Sequence, residues 1–305
     1  MAVHPAHFYT LDGSRLAGTL SLPQNASQEH RVPAVLLCQG LSGIKNLVLP
    51  KVALKLANAG FASLAFDYRG YGESEGERGW VLPLSRVDDA LYACAYLCQC
   101  PEVDTTRVGV YGLSFGGPVA LCVAAKEPHV RTVVAVSAPG NGETLMRSLR
   151  TSSQWIAFKE RILADRRERA TTGKSALVDI QEIFPFSARF LAKYASLKPS
   201  GGTSAMAEPT ASTQKPLFYL SSAEAVIDFR PEEAARRLGS RPLLLISGEK
   251  DDVATVEQVL DIYQNVSGPK KLVIVPGHDH VDLDTGQGLE YQTDLTVHWF
   301  NNHLK

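Results

Sequence analysis

Short apolar runs alternate with longer amphipathic stretches along residues 1–140 and again along residues 241–305. Each run has the length of a buried strand, and each stretch between two runs is long enough for a helix. This alternation predicts an α/β fold whose mostly parallel sheet has helices on both faces. The predicted strands are 32–38, 62–66, 107–111, 132–136, 242–248 and 271–275, preceded by a hairpin of 7–10 and 15–21, and the predicted helices include 47–59 and 86–98.

The alternation stops after residue 140 and resumes at residue 241, so we predict a core of residues 1–140 and 241–305 with an insertion, 141–240. The insertion contains helical stretches, one of them at 155–169, but no run that predicts a core strand. Residues 198–215 are rich in Ser, Thr, Gly and Pro and predict a mobile loop. The insertion also contains an aromatic-rich patch. This patch fits either the wall of an apolar pocket or the insertion's own small core. The patch consists of Phe184, Phe186, Phe190, Leu191 and Tyr194.

A G-x-S-x-G pentapeptide, Gly112-Leu113-Ser114-Phe115-Gly116, lies between a predicted strand and a predicted helix. In that setting the pentapeptide forms a nucleophile elbow, a sharp turn that exposes the serine hydroxyl above a sheet. The strained turn needs small residues two places to either side of the serine, and glycines stand at both positions. Ser114 is therefore the candidate nucleophile. The alternative is a glycine-rich turn whose serine only caps the following helix.

Candidates for an acid and a base follow Ser114 in the chain. Asp251 and Asp252 come directly after strand 242–248, and His278 and His280 come directly after strand 271–275. Carboxyl ends of parallel strands share one edge of the sheet, where sites in such folds form. A serine hydroxyl needs a neighbouring base to become a nucleophile. The chain order of serine, acid and histidine is that of the α/β-hydrolases.

Several segments resemble the α/β-hydrolase superfamily, and the resemblance extends along nearly the whole chain. Residues 66–74 are similar to its D-x-R-G-x-G-x-S loop, and residues 223–231 with 276–283 resemble its dienelactone-hydrolase-like or peptidase-S15-like branch. That branch includes fungal polyketide-pathway serine hydrolases and acyltransferases. The resemblance implies an α/β-hydrolase fold in which residues 141–240 form a cap over the site. Dienelactone hydrolases proper have a cysteine where this chain has Ser114, so their substrate does not carry over.

The resemblance also orders the candidate acids and bases. It favours His280 as the base, because the residues after it, 281–283, match those of the branch. It favours Asp251 as the acid, because the superfamily often places its aspartate three residues after the strand's last glycine. Thr255 replaces the proline that commonly follows, so Asp252 stays the alternative acid. We expect the acid to orient the imidazole and the other aspartate to cap the next helix.

An acyl-transfer site also needs donors for the oxyanion of the tetrahedral intermediate. One expected donor is the backbone N–H of Phe115, directly after the candidate nucleophile. The other comes from the loop after the first parallel strand, where we nominate the N–H of Leu41. Many relatives have a histidine at the position of Gln39, but backbone donors do not depend on that side chain.

Composition and charge argue against several classes of partner and cofactor. The 305 residues have a formal net charge of −1, so we expect neither a nucleic acid nor a membrane as partner. No apolar stretch has the length of a bilayer span, and the first residues lack a signal pattern. Five cysteines make no disulfide framework, which suits a cytoplasmic protein. No metal-ligand spacing, dinucleotide fingerprint or phosphate loop is present, so we expect no cofactor and no metal.

Together these features predict an enzyme that acts on a small acyl substrate. The first hypothesis is a serine hydrolase that cleaves a carboxylic ester or thioester through an acyl-enzyme. The second is an acyltransferase, implied by the branch, that passes the acyl group to an acceptor and takes it from a small molecule or a carrier-bound thioester. The third is a lyase, a cyclase or a binding protein on the same fold. Neither the substrate's chain length nor the oligomeric state is predicted by the sequence.

Overall fold

The structure, a computed structural model, describes residues 1–197 and 216–305. The loop predicted at 198–215 lies outside the described residues. Ten strands occur in the described parts of the chain, and eight of them form one sheet. The strands are β1 (Ala2–Tyr9), β2 (Arg15–Leu22), β3 (Val32–Cys38), β4 (Ala62–Phe66), β5 (Val103–Leu113), β6 (Val130–Val136), β7 (Leu177–Asp179), β8 (Leu217–Tyr219), β9 (Leu243–Gly248) and β10 (Lys270–Val275).

The large sheet has the order β1-β2-β4-β3-β5-β6-β9-β10. Its six strands from β4 to β10 are parallel, and the hairpin β1–β2 adds two antiparallel strands at one edge. Strands β3, β4 and β9 are buried along their whole length. Continuous apolar runs of this kind belong to parallel strands that are covered on both faces. The predicted α/β architecture is therefore confirmed.

Helices cover both faces of this sheet. One face carries α1 and α11, which contact each other, and the other face carries α2, α3 and α10. No helix within the two described ranges combines the length and apolar character needed to cross a bilayer. The covering helices are α1 (Leu49–Asn58), α2 (Pro83–Gln99), α3 (Gly116–Lys126), α10 (Val256–Asn265) and α11 (Gly286–Leu304).

Residues 141–240 add helices and two short strands between β6 and β9. Strands β7 and β8 pair with each other as a separate antiparallel ribbon, so residues 141–197 and 216–240 give no strand to the large sheet. The longest helix, α5, begins with a capping box at Thr151 and Gln154 and ends at Gly173, whose φ is 73°. The helices here are α4 (Gly142–Ser148), α5 (Ser152–Thr172), α6 (Ile180–Ile183), α7 (Ala188–Ala195), α8 (Ser221–Ile227) and α9 (Pro231–Arg236).

A buried ion pair joins the loops that follow β3 and β4. The Lys45 Nζ lies 2.6 Å from Asp67 Oδ2, and both side chains are at most 5% exposed. The same Asp67 carboxylate accepts the backbone N–H of Lys45 at 2.6 Å and that of Glu73 at 3.0 Å. A buried ion pair is tolerated only when further hydrogen bonds satisfy its charges. This network fixes two loops at the carboxyl edge of the sheet, the edge that carries the site described below.

Candidate active site

The backbone at Ser114 is strained. Its φ is 51°, in the left-handed region that non-glycine residues rarely adopt. A Cβ on Gly112 would lie 2.2 Å from the carbonyl oxygen of Gly116, and a Cβ on Gly116 would lie 2.2 Å from that of Cys38. Both positions must therefore be glycine for the turn between β5 and α3 to close. The result is a serine side chain at the carboxyl end of β5, beside the N-terminus of α3.

The side chains of Ser114, His280 and Asp251 form one hydrogen-bonded chain. Ser114 Oγ lies 2.9 Å from His280 Nε2. The other ring nitrogen, Nδ1, lies 2.9 and 2.8 Å from the two carboxylate oxygens of Asp251. Both His280 and Asp251 are about 95% buried, at 4% and 5% exposure. With a proton on Nδ1, the imidazole donates to Asp251 and presents a free electron pair to the Ser114 hydroxyl.

Asp252 lies outside this chain of hydrogen bonds. It is exposed, and its Oδ2 accepts a hydrogen bond from Ser187 Oγ at 2.7 Å. The prediction that Asp252 caps the next helix is wrong, because α10 begins after Thr255 and no side chain caps it. The other histidine of the loop, His278, is half-buried and contacts the carbonyl oxygen of Pro276 through Nδ1 at 2.8 Å.

Asp251 is held in place by the turn that follows it. Its Oδ1 accepts the backbone N–H of Val253 at 2.9 Å and that of Ala254 at 2.8 Å. The carboxylate therefore has fixed partners besides His280, which restricts its rotation. Both N–H groups belong to the turn that precedes α10, while the side chain of Asp252 turns towards Ser187.

Two titratable groups of the site have raised pKa values. Burial lowers the pKa of His280, but the negative charges of Asp251 and Asp284 and the hydrogen bond to Asp251 outweigh burial and bring it to about 8. Burial raises the pKa of Asp284 to about 7. An imidazole with a carboxylate partner and a second carboxyl nearby is the environment of an acid–base group.

Leu41 and Phe115, the predicted oxyanion donors, both line the cavity beside Ser114. Phe115 immediately precedes α3, so its N–H is at the positive end of that helix. The loop bearing Leu41 approaches the elbow closely, since a Cβ on Gly40 would lie 3.1 Å from Ser114 Cβ. The two nominated residues thus belong to segments that meet at the candidate nucleophile.

Arg86 supports this loop and was not singled out from the sequence. Its side chain is 98% buried, and it donates to the carbonyl oxygens of Gly40 at 2.9 Å and Leu41 at 3.0 Å. The guanidinium also lies over aromatic rings, among them that of Phe115, whose centroid is 5.6 Å away. Arg86 therefore contacts both segments that carry the nominated N–H groups. The sequence does contain one signal of its burial, because Arg86 lies on the same helix face as apolar residues such as Ala90 and Ala93.

A cavity of about 50 Å³ opens beside Ser114, and its walls are mainly apolar. Four of the five aromatic-patch residues line it, and they also stack on one another, with ring centroids 4.4 to 5.8 Å apart. These four side chains therefore both line an apolar cavity and pack against one another, as the two interpretations of the patch predict. Leu191 is 37% exposed and does not line the cavity, so only this member departs from the expectation. The lining aromatics are Phe184, Phe186, Phe190 and Tyr194.

Helix α7, which carries Phe190 and Tyr194, is tied by ion pairs to the loop of His280. Lys193 Nζ lies 2.6 Å from both Asp279 Oδ2 and Asp282 Oδ1, and Arg189 lies 2.6 Å from Asp279 Oδ2. Burial would raise the pKa of Asp279, but these cations and the N–H of Asp282 lower it to about 2. One face of the helix covers the cavity while the other is anchored beside the candidate base.

The chain has relatives along most of its length. It is 27% identical over 301 residues to the thiohydrolase aneE of Aspergillus aculeatus, covering 97% of this chain and 92% of that protein. It is 26% identical over 303 residues to the polyketide transferase claH of Penicillium crustosum, covering 97% and 96%. The crystal structure of the α/β hydrolase GrgF from Penicillium sp. sh18 matches with a TM-score of 0.79 at 20% identity, over 100% of this chain and 99% of that one.

The structural match supports the fold, and the sequence matches support the branch. The sequence model of the family described as X-Pro dipeptidyl-peptidase (S15 family) matches residues 12–282. The resemblance inferred from the motifs is thereby confirmed, both for the α/β-hydrolase fold and for the peptidase-S15-like branch that includes fungal hydrolases and acyltransferases. The chain belongs to the S15 family of X-Pro dipeptidyl-peptidases and is an enzyme of the α/β-hydrolase type.

Proposed function

We propose that the protein is a serine hydrolase that cleaves a small carboxylic ester or thioester through an acyl-enzyme on Ser114. The observation that carries this proposal is the hydrogen-bonded chain from Ser114 through His280 to Asp251, with contacts of 2.9 and 2.8 Å. The strained backbone of Ser114 adds support, because it aims the hydroxyl at the cavity. Thioester substrates are included because one relative is named a thiohydrolase.

In the first half-reaction, His280 Nε2 takes the proton of the Ser114 hydroxyl while Oγ attacks the substrate's carbonyl carbon. The negative charge that develops on the carbonyl oxygen is stabilised by the N–H groups of Leu41 and Phe115. The imidazolium then protonates the leaving alcohol or thiol, and the acyl-enzyme remains. We assign Asp251 the role of holding the imidazole with its proton on Nδ1 and of stabilising the imidazolium.

We further propose that residues 141–240 form a cap over a core of residues 1–140 and 241–305. Four aromatic side chains of the cap would then form the wall against which the acyl group packs. A space of about 50 Å³ holds only a few water molecules. A long acyl chain would therefore enter only if α7 moved away from the cavity.

Acyl transfer is the second candidate function. It uses the same acyl-enzyme, but an acceptor molecule replaces water in the second half-reaction. The observation that favours it is the mainly apolar wall of the cavity, which restricts water at the ester carbon. A polyketide transferase among the relatives also supports it. The acyl donor would be a small molecule or a carrier-bound thioester.

Substitution of the nucleophile is the direct test of the proposal. We expect wild type to form a single covalent adduct with a fluorophosphonate, and Ser114→Ala to form none, as measured by intact-mass spectrometry. Ester turnover should fall by roughly 10³-fold or more in the variant. Ser247→Ala, which removes a buried hydroxyl at the end of β9, is the matched control and should keep the adduct. Labelling of Ser114→Ala at the wild-type rate would overturn the proposal.

The two neighbouring aspartates provide a matched pair of variants. We expect Asp251→Asn to lower kcat by about 10³- to 10⁴-fold, because the amide cannot hold the imidazole in the required tautomer. Asp252→Asn should stay within about twofold of wild type, since that side chain is exposed and its hydrogen bond is to Ser187 rather than to His280. Steady-state hydrolysis of p-nitrophenyl acetate measures both. A larger loss in Asp252→Asn than in Asp251→Asn would reverse the assignment of the acid.

The pH dependence follows from the pKa of about 8 that the carboxylates impose on His280. Only the neutral imidazole acts as the base, so kcat/KM should rise with pH and level off above pH 8. In Asp251→Asn the largest opposing charge is gone and burial remains, so the midpoint of the residual activity should move to lower pH. A profile of kcat/KM from pH 5.5 to 9.5 at constant ionic strength checks both expectations. A wild-type midpoint below pH 6.5 would contradict them.

Arg86 should affect the rate through the loop that it supports. We expect Arg86→Met to lower kcat by about 10- to 100-fold, less than the loss of an oxyanion donor itself, with little change in KM. Arg86→Lys keeps the charge but cannot donate to both carbonyl oxygens, so an intermediate loss is expected. Thermal unfolding of each variant separates a rate effect from loss of the fold. A rise in KM at unchanged kcat would contradict a role at the oxyanion loop.

A further inference from the structure

Asp284 is a second buried carboxyl group in the cavity of Ser114. It ends the short 3₁₀ turn Val281–Asp284, which begins directly after His280. Its side chain is only 8% exposed, and it lines the same cavity as Ser114 and His280. The mechanism proposed above gives it no role.

The Oδ1 atom of Asp284 has no hydrogen-bond partner among residues 1–197 and 216–305. The Oε1 atom of Gln39, another residue lining this cavity, is buried and unpartnered in the same parts of the chain. Buried polar atoms nearly always have a partner, and an exception calls for an explanation. Two unpartnered acceptors in one mainly apolar cavity indicate that the missing donors belong to a ligand.

The volume of the cavity is compatible with water as that donor. A space of about 50 Å³ is enough for a few water molecules, and a buried water needs two to four polar partners. In the acyl-enzyme Ser114 has no proton to donate, so His280 Nε2 becomes an acceptor in the cavity that also holds the unpartnered oxygens of Asp284 and Gln39. A water molecule, which has two hydrogens to donate, matches such a set of acceptors.

We propose that Asp284 selects water over alcohols as the second nucleophile, by accepting the hydrogen of the attacking water that His280 does not take. The inference rests on the proposed acyl-enzyme and extends it to the second half-reaction. The carboxyl group keeps an acceptor oxygen whether it is ionised or protonated, so the role does not depend on its charge.

In this step the water oxygen forms a bond to the acyl carbon while His280 Nε2 takes one of its protons. The bond between that carbon and Ser114 Oγ then breaks, the imidazolium returns its proton to Oγ, and a carboxylic acid leaves. An alcohol has one hydroxyl hydrogen, which goes to His280. Its alkyl group would face Asp284, and the buried Oδ1 would stay without a donor. Hydrolysis is therefore favoured over transfer by the hydrogen bond that only water makes.

The test measures how the acyl-enzyme divides between two nucleophiles. Wild type and variants hydrolyse p-nitrophenyl acetate in the presence of methanol, and the ratio of methyl acetate to acetate is measured by NMR at several methanol concentrations. The variants Asp284→Leu and Asp284→Ala both remove the acceptor, but they change the volume of the cavity in opposite directions. Asp284→Asn keeps an acceptor oxygen with the same shape. Asp261→Ala, at an exposed position of α10, is the matched control.

We expect the ester-to-acid ratio to rise about tenfold in both Asp284→Leu and Asp284→Ala, in line with the loss of one hydrogen bond to a polar partner. Asp284→Asn should stay within about threefold of wild type, and Asp261→Ala should be unchanged. A ratio that changes in only one of the Leu and Ala variants would point to cavity size and overturn the inference, as would an unchanged ratio in both.

The fluorophosphonate adduct on Ser114 keeps this result separate from the test of the proposed function. If wild type forms no adduct and no acyl-enzyme, the proposed function fails. If the adduct forms in wild type and in the variants while the product ratio stays constant, only the role of Asp284 fails. Should Asp284→Leu not fold, Asp284→Ala and Asp284→Asn still form a pair that differs in the acceptor, and an equal ratio in these two would overturn the inference.

Discussion

The left-handed backbone of Ser114 constrains much of the surrounding chain. A residue with a Cβ at φ 51° is unfavourable by roughly 1–3 kcal/mol, and such strain persists only where the neighbouring structure enforces it. Here β5 and α3 enforce it by meeting at a sharp angle, and the turn closes only because no Cβ is present at Gly112 and Gly116. The same close packing brings Gly40 against Ser114. Sheet, helix and the loop after β3 are thus mutually fixed through one strained residue.

Around this point, buried charges hold the loops at the carboxyl edge in addition to apolar contacts. Lys45 pairs with Asp67 between the loops after β3 and β4, Arg86 binds two carbonyl oxygens of the loop after β3, and Asp279 accepts hydrogen bonds from α7. Desolvating such charges is expensive, and a hydrophobic replacement is often as stable. Their directional bonds set the positions of backbone atoms, which apolar side chains cannot do. For the two N–H groups that we propose as oxyanion donors, this precision would matter more than net stability.

The features of the fold and the candidate site that could be predicted from the sequence are those whose signal lies within a few neighbouring residues. The strands and Ser114 follow from periodicity and from a five-residue motif, and the choice of His280 came from residues adjacent to it. Arg86 was missed because its partners are backbone carbonyl oxygens 45 and 46 residues away. Every residue has such an oxygen, so the sequence does not indicate which one is a partner. The capping role expected of Asp252 was wrong for a similar reason: its partner is Ser187, 65 residues earlier.

In the proposed acyl-enzyme, the balance between hydrolysis and transfer would depend on two opposed features of one cavity. Two of its four wall aromatics come from α7, whose ion pairs through Lys193 hold it beside His280, and an apolar wall of this kind would restrict water at the acyl group. Exclusion of water alone would favour an organic acceptor. The unpartnered oxygens of Asp284 and Gln39 would act in the opposite direction, because they favour the binding of a small molecule that donates hydrogen bonds, such as water. Replacement of a single polar side chain in the wall, Asp284, would then change the product, while the residues proposed to form the acyl-enzyme stay the same.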